Sequence, residues 1–183
     1  MSMFCFQCQE AAGNTGCTTR GVCGKDEETS NLQDLLIYQM QGIGYLAVKA
    51  DEQGLDHKEA DNFVVDSLFT CITNANFDVE RLVEYLETGS GIRDDLVARL
   101  EIPMDGSAGL PDAATFTTTL PRDDLLAFAA KVGVMATENE DVRSLRQLLI
   151  LGLKGIAAYL HHAETLGFEN NDVTKFIHQA LAA

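Results

Sequence analysis

The chain carries one leucine-rich segment twice, and this internal repeat constrains its fold more than any other feature. Residues 32–50 (LQDLLIYQMQGIGYLAVKA) align without gaps on residues 145–163 (LRQLLILGLKGIAAYLHHA), at an offset of 113 positions. Seven of the 19 aligned positions are identical, and the same offset pairs Phe63 with Phe176 further along. Because one register persists through a turn and into the next segment, duplication explains the likeness better than chance.

The spacing of apolar residues in both copies predicts helices. Leucines and isoleucines recur at i, i+3 and i+4, which is the period of one face of an α-helix, and no stretch predicts a strand. The fold class is therefore all-α, with two related three-helix bundles behind an N-terminal cysteine loop. The first predicted helix begins at residues 26–28. The others cover about 59–73, 78–101, 122–132, 139–166 and 172–182, and the helix over 78–101 is expected to break near 89–91.

The repeat also predicts how the chain is divided. Residues 1–102 form the cysteine loop and the first bundle, residues 103–120 form a proline-containing linker, and residues 121–183 form the second bundle. Each helix pair needs a third surface to bury its apolar face. The third helix of the second copy would fall near 191–214. We therefore expect this bundle to be truncated and the chain to be the N-terminal part of a longer protein.

The charge of the chain excludes one class of partner. A net charge of −15 would repel the phosphates of nucleic acids. Residues 1–25 carry Arg20 and Lys25 against Glu10, a net of +1, so the cysteine segment is the least acidic part of the chain. No apolar stretch reaches the roughly 20 residues that span a bilayer, and no export signal is visible. We predict a cytoplasmic protein without a membrane partner.

Four of the five cysteines lie within the first 23 residues, as Cys5, Cys8, Cys17 and Cys23. Such a tight cluster is typical of metal or redox chemistry, whereas a disulfide framework is spread through a secreted chain. The spacing x2, x8, x5 favours an iron–sulfur cluster, although it matches neither common ferredoxin pattern. Two alternatives remain. One is a structural zinc ion, whose sites usually use pairs of cysteines separated by two to four residues, and the other is free thiols or a disulfide.

The cysteine segment resembles a known family. FCFQCQEAAGNTGCTTRGVCGKDEETSNLQDLLIY is similar to the N-terminus of the hybrid cluster proteins, also called prismane proteins or hydroxylamine reductases. The later stretch ATENEDVRSLRQLLILGLKGIAAY resembles the second helical bundle of the same family. The resemblance covers essentially the whole chain.

The resemblance implies a function as well as a fold. Family members have an N-terminal domain of two three-helix bundles followed by two α/β domains. It implies that Cys5, Cys8, Cys17 and Cys23 hold a [4Fe–4S] cluster, since [2Fe–2S] members have wider spacing. Electrons from a donor protein would pass through this cluster to a hybrid iron–sulfur–oxygen cluster in the later domains.

In the full-length family, hydroxylamine is reduced to ammonia and water at the hybrid cluster, and nitric oxide reduction is also attributed. The present chain would keep only the electron relay, so no catalytic residue is assigned to it. The alternative is a helical interaction module with a structural zinc ion on the same four cysteines.

The remaining candidate residues have structural interpretations. Cys71 lies between apolar neighbours in a helix and is predicted to be a buried small side chain. The four histidines, His57, His161, His162 and His178, lack an evident ligand partner at i+4 and are predicted to lie at the surface or its boundary.

Near the cysteines and inside the helices, other residues are ambiguous from sequence. Arg20 and Lys25 either stabilise the negative charge of a reduced cluster or are simply solvated. Phe4 and Phe6 either shield the sulfurs or pack. Gly42 and Gly155 each cost about 1 kcal/mol in a helix relative to alanine, which predicts a close helix crossing at both.

Overall fold

The computed structural model describes residues 3–103 and 109–183, and these ranges are helical, as predicted. Their only β-type pairing is an isolated bridge between Cys5 and Cys17. The helices are α1 (Glu27–Glu52), α2 (Lys58–Thr73), α3 (Val79–Arg99), α4 (Asp112–Thr115), α5 (Arg122–Val132), α6 (Glu140–Thr165) and α7 (Asn171–Leu181).

Side-chain caps fix where the long helices begin. Asp26 accepts a hydrogen bond from the backbone amide of Thr29 at 2.9 Å, and Asn139 accepts one from Val142 at 3.0 Å. These caps satisfy amides that have no partner inside the helix, and acidic residues follow in both first turns. The acidic run at 138–141 therefore marks the start of α6.

The predicted break near residues 89–91 is wrong, because α3 runs without interruption through both glycines. A methyl group added at Gly89 would collide with the side chains of Gln39 in α1 and Phe63 in α2. Gly89 therefore lets α3 approach these helices closely, and it does not end the helix.

Helix α1 is the centre of the molecule. It packs against α2, α3, α4, α5 and α7, while α6 lies mainly against α2. Its leucine face, including Leu35 and Leu36, is fully buried in one continuous hydrophobic core. The first copy of the repeat thus supplies the core around which the other helices assemble.

The two repeat glycines behave differently. An added methyl group at Gly42 would meet the backbone of Ala113, so α4 crosses α1 at this point. At Gly155, nothing lies within 4 Å of the same position. The predicted close crossing is confirmed for Gly42 and wrong for Gly155.

The segment predicted as a linker contributes to the core. Ala114 and Phe116 are buried, and the Phe116 ring stacks on Phe128 with centroids 5.2 Å apart. Tyr38 of α1 meets Phe116 edge-on at 5.9 Å. Residues 104–108 of the predicted linker lie outside the described residues, and the division of the chain at 102 and 121 stays a prediction.

Apolar side chains remain exposed along α6, in the turn that follows it and on α7. No helix in the described ranges is long and apolar enough to cross a membrane. The exposed residues include Leu145, Leu148, Leu149, Tyr159, Leu166, Phe168 and Phe176.

Candidate functional site

The cysteine loop begins as an extended segment. Met3, Cys5 and Gln7 are buried, whereas Phe4, Phe6 and Cys8 are half-buried. This alternation is the period of two that an extended chain imposes on its side chains. It turns Cys5 towards the protein and leaves Cys8 partly open to solvent.

The loop brings Cys5 and Cys17 together. The amide of Cys5 donates a hydrogen bond to the carbonyl of Cys17 at 2.9 Å, and both side chains are buried beside Met3. Gly16, just before Cys17, has a φ of +90°, which a residue with a side chain rarely adopts. The glycine therefore permits the turn that places Cys17 opposite Cys5.

Cys23 is presented by a tight turn at the end of the loop. The amide of Gly24 donates to the carbonyl of Gly21, and the amide of Gly21 donates to the carbonyl of Lys25, both at 2.8 Å. The Cys23 sulfur lies beside Gly21, where a methyl group would be only 3.1 Å from it. Cys23 is exposed, so one side of the loop faces solvent.

All five cysteines are free thiols. In the described ranges, only His57, Asp61 and His178 form a group of three or more candidate ligand atoms within 4.8 Å of one another. Three cysteine sulfurs thus do not approach that closely. A tetrahedral zinc ion with Zn–S bonds of about 2.3 Å holds its sulfurs about 3.8 Å apart. The arrangement is wider than a single zinc ion requires.

A buried polar network lies beneath the loop. Lys154 of α6 donates to both the backbone carbonyl and the side-chain oxygen of Gln7, at 2.9 and 2.5 Å. The Gln7 amide in turn donates to Asp34 of α1 at 2.5 Å. Burial raises the pKa of Asp34 to about 7 and lowers the pKa of Lys154. Gln7 thereby connects the cysteine loop to both copies of the repeat.

Lys25 is a second buried cation beside the loop. Its Nζ donates to the side-chain oxygens of Gln33 and Asn74. Arg20, in contrast, is exposed and donates to the carbonyl of Gly24 at 3.1 Å. Of the two cations that the sequence places near the cysteines, the structure buries only Lys25.

Cys71 is fully buried in α2, as predicted. Burial raises the pKa of its thiol to about 11, so the group stays neutral at physiological pH. A neutral thiol is a poor metal ligand, because the thiolate is the form that binds.

Phe4 and Phe6 pack against the second copy of the repeat. Their rings stack with centroids 6.4 Å apart and line a cleft of about 280 Å³ together with Leu148 and Leu151 of α6. The pair therefore lines an apolar cleft shared with α6.

The prediction for the histidines is wrong for His178, which is buried, and it missed a partner for His57. Asp61, four residues after His57 in α2, accepts hydrogen bonds from His57 at 2.9 Å and His178 at 2.7 Å. The bond to Asp61 raises the pKa of His57 to about 9. Although burial opposes it, the two histidines hold the pKa of Asp61 well below its usual range.

This histidine cluster ties α7 to α2 through a carboxylate. His57 also forms a hydrogen bond with Asp51 at 3.2 Å, and Asp51 forms an ion pair with Lys175 of α7 at 3.3 Å. The sequence signal was the spacing of four between His57 and Asp61, which places both on one helix face. The contact with His178 depends on tertiary packing and had no local signal.

Comparison with known proteins identifies the relatives of this chain. A family model described as the Prismane/CO dehydrogenase family matches residues 3–183. A protein named hydroxylamine reductase from Desulfitobacterium hafniense (strain DSM 10664 / DCB-2) is 51% identical over 186 residues, covering 100% of this chain and 33% of the relative. Another of that name from Nitratidesulfovibrio vulgaris is 50% identical over 190 residues, covering 99% and 34%.

A third relative named hydroxylamine reductase, from Clostridium novyi (strain NT), is 46% identical over 186 residues, covering 100% of this chain and 33% of its own length. The chain thus spans about a third of the length of the curated relatives it matches.

Proposed function

The chain belongs to the prismane/CO dehydrogenase family, and from this premise we propose that Cys5, Cys8, Cys17 and Cys23 hold a [4Fe–4S] cluster that relays electrons. The observation that carries the proposal is a loop with four free cysteines, two of which are paired across a backbone bridge. No other part of the described chain gathers as many thiols.

The loop suits an iron–sulfur cluster in both its donors and its surroundings. Thiolates are the protein ligands of such clusters, and the loop supplies four cysteines. The loop is also the least acidic part of the chain, and buried cations lie behind it, which suits a site that gathers negatively charged sulfur. The residues present therefore fit the group.

When bound, such a cluster accepts and passes on one electron at a time. The chain would hold it between two different environments. Cys5 and Cys17 face the interior, and Phe4 and Phe6 flank Cys5 in the chain, whereas Cys23 and partly Cys8 face solvent. We assign the exposed side to the approach of an electron donor protein, since electron transfer requires a short distance.

The relatives' name suggests the reaction that the electrons serve in the full-length protein. Reduction of hydroxylamine to ammonia and water consumes two electrons and two protons. We propose that this occurs at a hybrid iron–sulfur–oxygen cluster in the part of the relatives that this chain does not span. The exposed apolar surface of α6 supports contact with that part, because a contiguous apolar patch marks an interaction site.

Anaerobic purification with single cysteine variants tests the proposal. We expect the wild-type chain to bind iron and sulfide, and to show broad absorption near 400 nm that dithionite bleaches. Cys5→Ser, Cys8→Ser, Cys17→Ser and Cys23→Ser should each lose most of the iron, since each removes one ligand. The matched control is Cys71→Ala, which removes a buried thiol outside the loop and should keep the cluster.

Two results would contradict the proposal. One is a colourless wild-type chain that binds zinc and takes up no iron during reconstitution, which would indicate the interaction-module alternative. The other is an equal loss of iron in Cys71→Ala and the loop variants. The isolated, loaded chain should also show no hydroxylamine turnover, since the proposed site of reduction lies outside it.

A further inference from the structure

Two lysines beside the cysteine loop are among the most completely buried side chains of the molecule. Lys25 is 0% exposed and Lys154 is 1% exposed. Each ammonium group donates only to neutral oxygens, those of Gln7 for Lys154 and those of Gln33 and Asn74 for Lys25. In the described ranges, neither Nζ has a carboxylate oxygen within the 4.0 Å of an ion pair.

The two lysines belong to separate hydrogen-bond groups with different charge balances. The ammonium group of Lys154 reaches one carboxylate, Asp34, through the side chain of Gln7, whereas that of Lys25 reaches none. Burial raises the pKa of Asp34 to about 7 and lowers the pKa of Lys154, so it disfavours the charged form of both groups. Cys71 does not supply the missing charge, because its buried thiol is neutral. Lys25 is therefore left with neutral partners alone, namely the oxygens of Gln33 and Asn74 and the face of the Phe77 ring.

Buried charges in proteins are normally paired, because removing an unpaired charge from water is unfavourable. Both lysines adjoin the proposed ligands. The carbonyl that accepts from Lys154 belongs to Gln7, between Cys5 and Cys8, and Lys25 lies two residues beyond Cys23. The position of the excess positive charge thus coincides with the loop that would carry negative sulfur.

We propose that Lys25 and Lys154 are positioning residues that supply the counter-charge for an iron–sulfur cluster on the cysteine loop and raise its reduction potential. The inference rests on the proposed function. A cluster held by four thiolates is negatively charged and gains one further negative charge when it takes an electron from a donor. A nearby cation stabilises the reduced form more than the oxidised form, so the electron is accepted more readily.

The midpoint potential of the cluster tests this proposal in the 183-residue chain. Lys154→Met and Lys25→Met remove the charge while keeping a side chain of similar length. We expect each to lower the equilibrium constant for reduction on the order of tenfold, which for a one-electron couple is a decrease of about 59 mV. Lys49→Met is the control, since Lys49 lies in the last turn of α1, roughly 35 Å along that helix from its start.

Each outcome of the titration decides between the two proposals. A wild-type chain without iron overturns the proposed function, and this inference with it. Loaded variants whose potential matches that of the wild type overturn the inference alone and leave the cysteine ligands intact.

If a methionine variant fails to load, Lys154→Arg and Lys25→Arg separate charge from shape. Loading rescued by arginine supports the counter-charge, because arginine keeps the charge and changes the geometry. Failure of both replacements shows that the lysine geometry itself is needed and overturns the proposal.

Discussion

Helices α1 and α6 carry the same leucine-rich segment in the same register, but their surroundings are opposite. Leu35 of α1 is fully buried, whereas Leu148, its counterpart in α6, is 68% exposed. Five helices surround α1, while α6 lies mainly against α2. The comparison shows that a pattern of leucines determines which face of a helix is apolar, and that the neighbours determine whether this face is buried.

The two copies carry different residues at the position where α6 contacts the cysteine loop. Position 41 in α1 is a glutamine, and the equivalent position in α6 is Lys154, whose ammonium group bonds to the loop. The second copy of the repeat therefore contributes less to the core than the first copy, and it contacts the candidate site.

The largest expected effect comes from truncating the equivalent leucines. Leu35→Ala should lower the free energy of unfolding by about 2–5 kcal/mol, because it leaves a cavity in the core. Leu148→Ala should change it by less than about 0.5 kcal/mol, because the side chain is mostly in solvent. Urea denaturation of the two variants measures both values. Equal losses would show that α6 is buried in solution.

Replacing the two repeat glycines with alanine should change the free energy of unfolding less, and the two changes should have opposite signs. Gly42→Ala should destabilise by about 1–3 kcal/mol, since the new methyl group meets the backbone of Ala113. Gly155→Ala should stabilise by up to about 1 kcal/mol, because alanine favours the helix and the position is open. Thermal melting of both variants gives the signs. Destabilisation by Gly155→Ala would reveal a neighbour close to α6.

A weaker effect is expected from pH, through the contact that docks α7 on α2. The pKa of His57 is raised from 6.5 to about 9, so its stabilising contribution is complete below about pH 6.5 and is lost as pH rises through 9. The pKa of Asp61 is lowered from 3.8, so its contribution is complete above that value and is lost in stronger acid.

The stability difference between wild type and His57→Gln isolates this contribution from other titrating groups. It should be largest between about pH 4 and 6.5 and should shrink towards pH 9. Urea denaturation across this range measures it. A difference that grows with pH would contradict the assignment of a charged His57.

The smallest effect on stability should come from the exposed leucines of α6. Replacing Leu145 and Leu148 with serine should leave the free energy of unfolding within about 0.5 kcal/mol of the wild type. It should, however, reduce binding of a hydrophobic dye, since both side chains lie on the exposed apolar face. Unchanged dye binding would show that this face is not the apolar surface in solution.

Much of the fold could be predicted from the sequence because its helices follow local rules. Capping residues and leucine periodicity locate all six long helices to within a few residues. The four-residue helix α4 was missed because it is too short to show a period, and its place in the core depends on Gly42 in a distant segment. The burial of α1 and the exposure of α6 could not be distinguished, since their apolar patterns are alike.

At the candidate site, the sequence locates the candidate cysteines, whereas their surroundings depend on tertiary packing. The cysteine spacing is a local signal, and so is the presence of Lys25. Lys154 is 147 positions from Gln7, and nothing near either residue indicates that they meet. The link between His178 and Asp61, 117 positions apart, was missed for the same reason.

The bond from Lys154 to Gln7 also has a consequence for the order of events during synthesis. Gln7 leaves the ribosome long before Lys154 has been translated, and closing so long a loop is an entropically late step in folding. The four cysteines are therefore synthesised before Lys154, whose cation lies behind them in the folded chain. Iron delivered during that interval would bind to a loop that lacks the Lys154 contact, whereas iron delivered after α6 has docked would bind to the fully assembled site.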